Sequence, residues 1–226
     1  MQNFFPPTPA TPRTPAWFGQ TLAVCPVMAI VRISAPADLV TAVESLVAGG
    51  IRLVEITLPS PGCLEAVTKL RHRQAGGPLR IGVGTVLNSE EAKRAVGAGA
   101  EFLVTPILDE RTIQESVRQG VPILPGVFSP TEAWRAWSCG SDFVKLFPAD
   151  SLNPEAVRAW RAPLPMLQVV AVGGVTRENV GTWLRAGAAG VAVGSGLAPQ
   201  AMIEKTDQAG LTREARAWVE AVRPGN

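Results

Sequence analysis

Residues 90–107 of the chain read EEAKRAVGAGAEFLVTPI. An acidic start, apolar residues at helical spacing and a closing glycine describe a helix, and the apolar run 102–107 that follows almost at once describes a strand. The same order recurs along the chain. The patterns LVTAVESLVAGG (39–50), TIQESVRQG (112–120), TEAWRAWSCG (131–140) and RENVGTWLRAG (177–187) each end in a glycine suited to a left-handed cap, and each leads into a strand-like segment. The strand segments are 27–33, 52–58, 80–86, 102–107, 121–127, 143–147, 167–175 and 190–196. Strands alternating with helices across short connections predict a parallel sheet covered by helices. Eight such units favour a closed (β/α)8 TIM barrel of the α/β class over an open doubly wound sheet, and no G-x-G-x-x-G opens a helix.

The bulk properties agree with one such domain. The chain has 226 residues, 46% of them hydrophobic and 18% charged, enough for a large core within a single barrel. Its 21 basic and 19 acidic residues are dispersed, with no basic block and no tyrosine to stack bases, which argues against a nucleic-acid partner. No apolar run approaches the roughly 20 residues needed to cross a bilayer, and residues 1–20 lack the basic start and apolar block of a secretory signal. Five prolines between Pro6 and Pro15 favour an extended lead, so residues 1–20 are expected to be a proline-rich extension and 21–226 the barrel. Cys25, Cys63 and Cys139 are widely spaced and odd in number, pointing to reduced thiols and a cytoplasmic location.

In a barrel, alternate side chains of each strand face inward and the chemistry sits at the strands' C-terminal ends. In FVKLF, Phe143, Lys145 and Phe147 share one face. In RLVEITL, Leu53, Glu55 and Thr57 share one face, leaving the aliphatic set Val54, Ile56 and Leu58 for the helices. Met28, Ile30 and Arg32 align likewise in VMAIVRI. A lysine, a glutamate and an arginine from three strands thus converge on one end. An internal salt-bridge network is one explanation; the other is a lysine kept partly neutral by desolvation, able to attack a ketone, with Glu55 moving protons. Two glycine-rich strand ends, VVAVGGV with Gly173 and Gly174 and VAVGSG with Gly194 and Ser195, fall after the last two strands. That is where this barrel binds phosphate, although glycine also serves tight turns.

VEITL with Glu55, GVGTVL with Thr85, FLVTP with Pro106, PGV followed by Glu132, FVKLFPA with Lys145, and AVGGV followed by VAVGSG resemble, in the same order, the bacterial 2-keto-3-deoxy-6-phosphogluconate and 4-hydroxy-2-oxoglutarate aldolases. The resemblance spans about residues 22–200. It implies a class I aldolase, needing neither metal nor cofactor, that cleaves 2-keto-3-deoxy-6-phosphogluconate to pyruvate and glyceraldehyde 3-phosphate. Lys145 would form the Schiff base, Glu55 would transfer protons, Thr85 would bind the carboxylate of pyruvate, and Phe147 and Pro106 would wall the substrate site. Gly173, Gly174, Gly194 and Ser195 would cradle the phosphate. Taken without the resemblance, Thr85 is equally an ordinary strand residue and Phe147 plain core. His72, in the polar stretch RHRQ, reads as a solvated helix end.

One position departs from the pattern. The gluconate enzymes typically carry an arginine directly after the motif that contains the glutamate, whereas this chain has Pro59. The resemblance makes Arg32 the candidate replacement cation, since the phosphogalactonate branch has an arginine in a similar motif and also a Ser-Pro like Ser60 and Pro61. The galactonate isomer and 4-hydroxy-2-oxoglutarate therefore remain alternative substrates. A phosphosugar epimerase or isomerase, and a sugar-phosphate-binding barrel without catalysis, are the readings from other classes. The resemblance further implies a homotrimer.

Overall fold

The structure is a computed structural model that describes residues 14–74 and 76–223. Nine parallel strands run in chain order: β1 Val27–Val31, β2 Leu53–Thr57, β3 Arg80–Gly84, β4 Phe102–Val104, β5 Ile123–Leu124, β6 Gly126–Val127, β7 Phe143–Leu146, β8 Gln168–Val172 and β9 Gly190–Val193. Helices α1 Ala16–Val24, α2 Leu39–Ala48, α3 Cys63–Arg73, α4 Ser89–Gly97, α5 Glu110–Arg118, α6 Pro130–Ser138, α7 Glu155–Arg161, α8 Val180–Arg185, α9 Gln200–Glu204 and α10 Gln208–Ala221 alternate with them or precede and follow them. The sheet order is β5-β4-β3-β2-β1-β9-β8-β7-β6. Its two ends, β5 and β6, are halves of the single expected strand 121–127, interrupted at Pro125.

The interruption has a local cause. Proline has no N–H for a ladder, so the strand breaks there while its carbonyls continue to pair on both sides. Thr105 N donates to Leu124 O at 3.1 Å, and Lys145 N donates to Pro125 O at 2.9 Å, which closes the ring. The eight expected strands are therefore present, one of them in two pieces.

The helices follow their terminal chemistry. Asp38, Asn88, Asp109 and Ser129 each cap a helix by accepting from the backbone N–H three residues on. The five glycines expected as left-handed caps, Gly50, Gly99, Gly120, Gly140 and Gly187, all have positive φ, between 70° and 112°. One expected helix start moves: Thr176 N donates to Asn179 Oδ1 in a turn, and α8 begins only at Val180.

Strand parity divides the core as expected. Val27, Ala29, Val54, Ile56, Val144 and Leu146 pack outward beneath the helices, whereas Met28, Ile30, Leu53, Phe143 and Val170 fill the barrel. Gly82 leaves room for the ring of Phe102 from the neighbouring strand, since a Cβ there would lie 2.5 Å from it.

The expected boundary at residue 21 is wrong on its barrel side. Residues 16–20 belong to α1, whose Phe18 is wholly buried among barrel-filling side chains, 5.4 Å from the Phe102 ring and 5.0 Å from the Phe143 ring. An open barrel end exposes apolar side chains, and Phe18 and Leu22, one helical turn apart, cover them. The proline-rich stretch through residue 13 lies outside the described residues. Phe18→Ala is expected to cost about 3–5 kcal/mol of stability, measured as a lowered midpoint in urea, because it empties a packed aromatic site.

Candidate active site

Glu55 sits in the middle of β2, between Ile30 of β1 and Gly82 of β3 in the ladder, and its side chain points into the barrel. It is 1% exposed. Space for it comes from Gly84, where a Cβ would stand 2.5 Å from Glu55 Oε1. Glu55 Oε2 is buried and has no hydrogen-bond partner among the described residues, a costly state for a carboxylate unless a proton or ligand visits it. Burial accordingly pushes its pKa up, against the opposing pull of the Lys145 and Arg32 charges.

Lys145, on β7, pairs with Gly126 on one side and Val170 on the other, and is 6% exposed. Burial pushes its pKa down; the Glu55 carboxylate opposes this and Arg32 adds to it. Its Nζ lies 4.6 Å from the centroid of the Phe147 ring, an apolar surface that withholds water from the amine. The arrangement buries an amine and a carboxylate whose charged forms are both disfavoured by loss of water.

Arg32 follows β1 and is exposed at the barrel mouth, where its Nη2 donates to Thr85 Oγ1 at 3.5 Å. Thr85 is not an ordinary strand residue. β3 ends at Gly84, and Thr85 has φ +59°, a conformation that costs a β-branched residue about 1–3 kcal/mol and is held where the surroundings fix it. Next to Pro59, Ser60 is almost fully buried: its Oγ accepts from Ile33 N at 3.1 Å and lies 2.8 Å from Thr57 Oγ1. The residues after β2 thus brace the backbone that carries Arg32.

A cavity of about 550 Å³ opens at this end. Arg32, Phe147, Gly173, Gly174, Gly194 and Ser195 line it together, bringing six of the expected residues to one wall. Gly173 and Gly174 take φ +103° and +65°, and a Cβ on Gly174 would strike Asp150 at 2.4 Å, so the loops after β7 and β8 touch through glycine. Lys145 and Glu55 do not line this cavity but adjoin it, through Phe147 and through Ile30, the ladder partner of Glu55. Thr85 lines a neighbouring groove with Pro59 and Ser60. Pro106 lines neither; its carbonyl is packed against Gly126, where a Cβ would come within 2.3 Å.

A family model described as KDPG and KHG aldolase matches residues 19–213. The chain belongs to that family. It is 35% identical over 201 residues to the 2-dehydro-3-deoxy-6-phosphogalactonate aldolase of Escherichia coli K12, covering 88% of this chain and 95% of the relative. It is 33% identical over 195 residues to the 2-dehydro-3-deoxy-phosphogluconate aldolase of Pseudomonas aeruginosa, covering 86% and 88%. The crystal structure of KDPG aldolase from Legionella pneumophila, with pyruvate captured as a covalent carbinolamine, superposes with a TM-score of 0.79 at 27% identity, covering 88% of this chain and 96% of that one. The chain is thus a TIM-barrel aldolase of the Schiff-base class, which sets aside the isomerase and non-catalytic readings.

Three contributors to the site of this aldolase escape a reading of the sequence. Gly84 makes room for Glu55, Ser60 braces Arg32, and Gln200 lines the cavity. Only Ser60 carried a signal, in its Ser-Pro context.

Proposed function

We propose that Lys145 is the nucleophile of this aldolase and that its substrate is a phosphorylated 2-keto-3-deoxy sugar acid, 2-keto-3-deoxy-6-phosphogluconate in the first instance. The observation that carries this is the burial of Lys145 with Glu55 next to a cavity walled by Arg32 and two glycine loops. The neutral Nζ adds to the keto carbon, and loss of water leaves a protonated imine. Glu55, as carboxylate, takes the proton of the hydroxyl on the fourth carbon. The bond between the third and fourth carbons then breaks, its electron pair passing into the imine to give an enamine, and glyceraldehyde 3-phosphate leaves. Protonation of the enamine at carbon and hydrolysis of the resulting imine return pyruvate and the free amine.

Arg32 and Thr85 hold the carboxylate in this reading, and Gly173, Gly174, Gly194 and Ser195 hold the phosphate. Phe147 keeps the amine dry, and Pro106 packs against Gly126, the ladder neighbour of Lys145. A second reading, the galactonate isomer, is favoured by Pro59 and by Ser60, whose Oγ accepts from the backbone of Ile33, the residue after Arg32. 4-Hydroxy-2-oxoglutarate is the third substrate to assay. By family resemblance we further place the enzyme in the cytoplasm as a homotrimer; Cys25, Cys63 and Cys139 are free thiols.

The deciding experiment is borohydride reduction in the presence of pyruvate, followed by peptide mapping. A reduced pyruvate adduct on Lys145 is expected, and folded protein that gains none overturns the assignment. Arg32→Ala is expected to raise KM about tenfold or more, the worth of one charged hydrogen bond, with a smaller effect on kcat. Because Arg32 helps to hold the Lys145 pKa down, its loss also moves the acid limb of the pH–rate profile to higher pH. Steady-state kinetics across pH check both effects.

A further inference from the structure

Gln200, at the first position of α9, lines the cavity together with Arg32 and the loop Gly194–Gly196. Its Nε2 donates to Ser34 Oγ at 2.7 Å and to Glu204 Oε1 at 2.6 Å. A carboxylate can only accept, so Glu204 fixes which end of the Gln200 amide is nitrogen. Both Nε2 protons are then spent on the protein. Oε1 receives no hydrogen bond among the described residues, and it is an acceptor only.

An acceptor is out of place in a cavity lined by glycine loops and an arginine if phosphate is its sole occupant, since two oxygens without a proton between them repel. It suits a hydroxyl. We propose that Gln200 is a specificity-determining residue that reads a substrate hydroxyl adjacent to the phosphate. This rests on the function proposed above. With the second carbon joined to Lys145 and the phosphate on the sixth carbon at the glycine loops, the fifth carbon is next to the loops with which Gln200 shares the cavity, and its hydroxyl is the donor. Ser34 and Glu204 are positioning residues that aim the amide.

The test compares cleavage of 2-keto-3-deoxy-6-phosphogluconate with cleavage of its 5-deoxy analogue, which keeps the phosphate and lacks only that hydroxyl. In the native enzyme the hydroxylated substrate is expected to have the higher kcat/KM. Gln200→Met is expected to lower kcat/KM about tenfold for the hydroxylated substrate and to leave the analogue within twofold, the worth of one hydrogen bond. Ser34→Ala, which loosens the clasp but keeps Oε1, is expected to retain most of the discrimination. Equal losses on both substrates in Gln200→Met, or the same loss of discrimination in Ser34→Ala, would reduce Gln200 to a loop clasp and overturn the proposal. Borohydride trapping with pyruvate is run on every variant: a native enzyme that forms no adduct sinks the aldolase mechanism itself, whereas adducts throughout with unchanged discrimination sink only the role of Gln200.

Discussion

Lys145→Ala is expected to abolish cleavage and adduct formation while the circular dichroism of the barrel is retained. No other lysine stands on the inner face of a described strand, so the described strands offer no second amine to take over the imine. A companion variant, Lys145→Met, isolates the cost of burying the amine. Because the folded-state pKa of Lys145 is lowered, the unfolded chain binds the extra proton between that lowered pKa and the ordinary lysine value near 10.4. The contribution of Lys145 to stability is therefore present above the ordinary value and is lost as pH falls through the lowered one. Urea titrations of the native protein should show this decline on going from alkaline toward neutral pH, and Lys145→Met should lack it. Parallel curves for the two proteins would mean that the amine titrates as a solvated lysine does. Residual turnover in Lys145→Ala above the uncatalysed rate would move the nucleophile elsewhere.

Glu55→Gln is expected to slow turnover by about 100-fold or more, the usual loss when general acid-base help is removed. Glutamine keeps the shape that fits over Gly84, so the loss would report proton transfer and not packing. The raised pKa of Glu55 sets the sign of the stability effect. Its contribution is fully present below the ordinary glutamate pKa near 4.3 and is lost as pH rises through the raised value. Glu55→Gln should lack that loss, so the stability difference between variant and native protein should shift in favour of the variant across the same interval. Full activity in Glu55→Gln would remove the carboxylate from the mechanism.

Much of this site was legible because strand periodicity is a strict rule. A side chain two residues from another on a strand shares its face, so Lys145 with Phe143, and Glu55 with Leu53, followed from parity once the barrel was inferred. The glycine caps were legible for a similar reason, since few other residues accept a positive φ. The rest depended on neighbours distant in sequence. Gly84 reads as a weak strand residue until Glu55 is seen above it, and Gln200 reads as a helix-start polar residue until Ser34 arrives from the opposite end of the chain. Thr85 looked like a strand residue because its strain lies in the backbone, which composition does not encode. The start of the barrel was misplaced because the prolines dominated the reading of residues 1–20. Pro15 just before the helix, and Phe18 and Leu22 one turn apart, were the signals that pointed the other way.

The seat of α1 bears on the order in which the chain can fold. The rings that receive Phe18 lie on β4 and β7, and Thr14 N, just before the helix, donates to Asp142 Oδ2 across a separation of 128 residues. Contacts of such long range form slowly, because much of the intervening chain must be ordered before they bring any gain. On the ribosome, α1 must wait for most of the barrel to be synthesised before its binding place exists. In that interval its aromatic residues Trp17 and Phe18 are exposed, which makes α1 a segment for a chaperone to hold and its docking a late step in maturation.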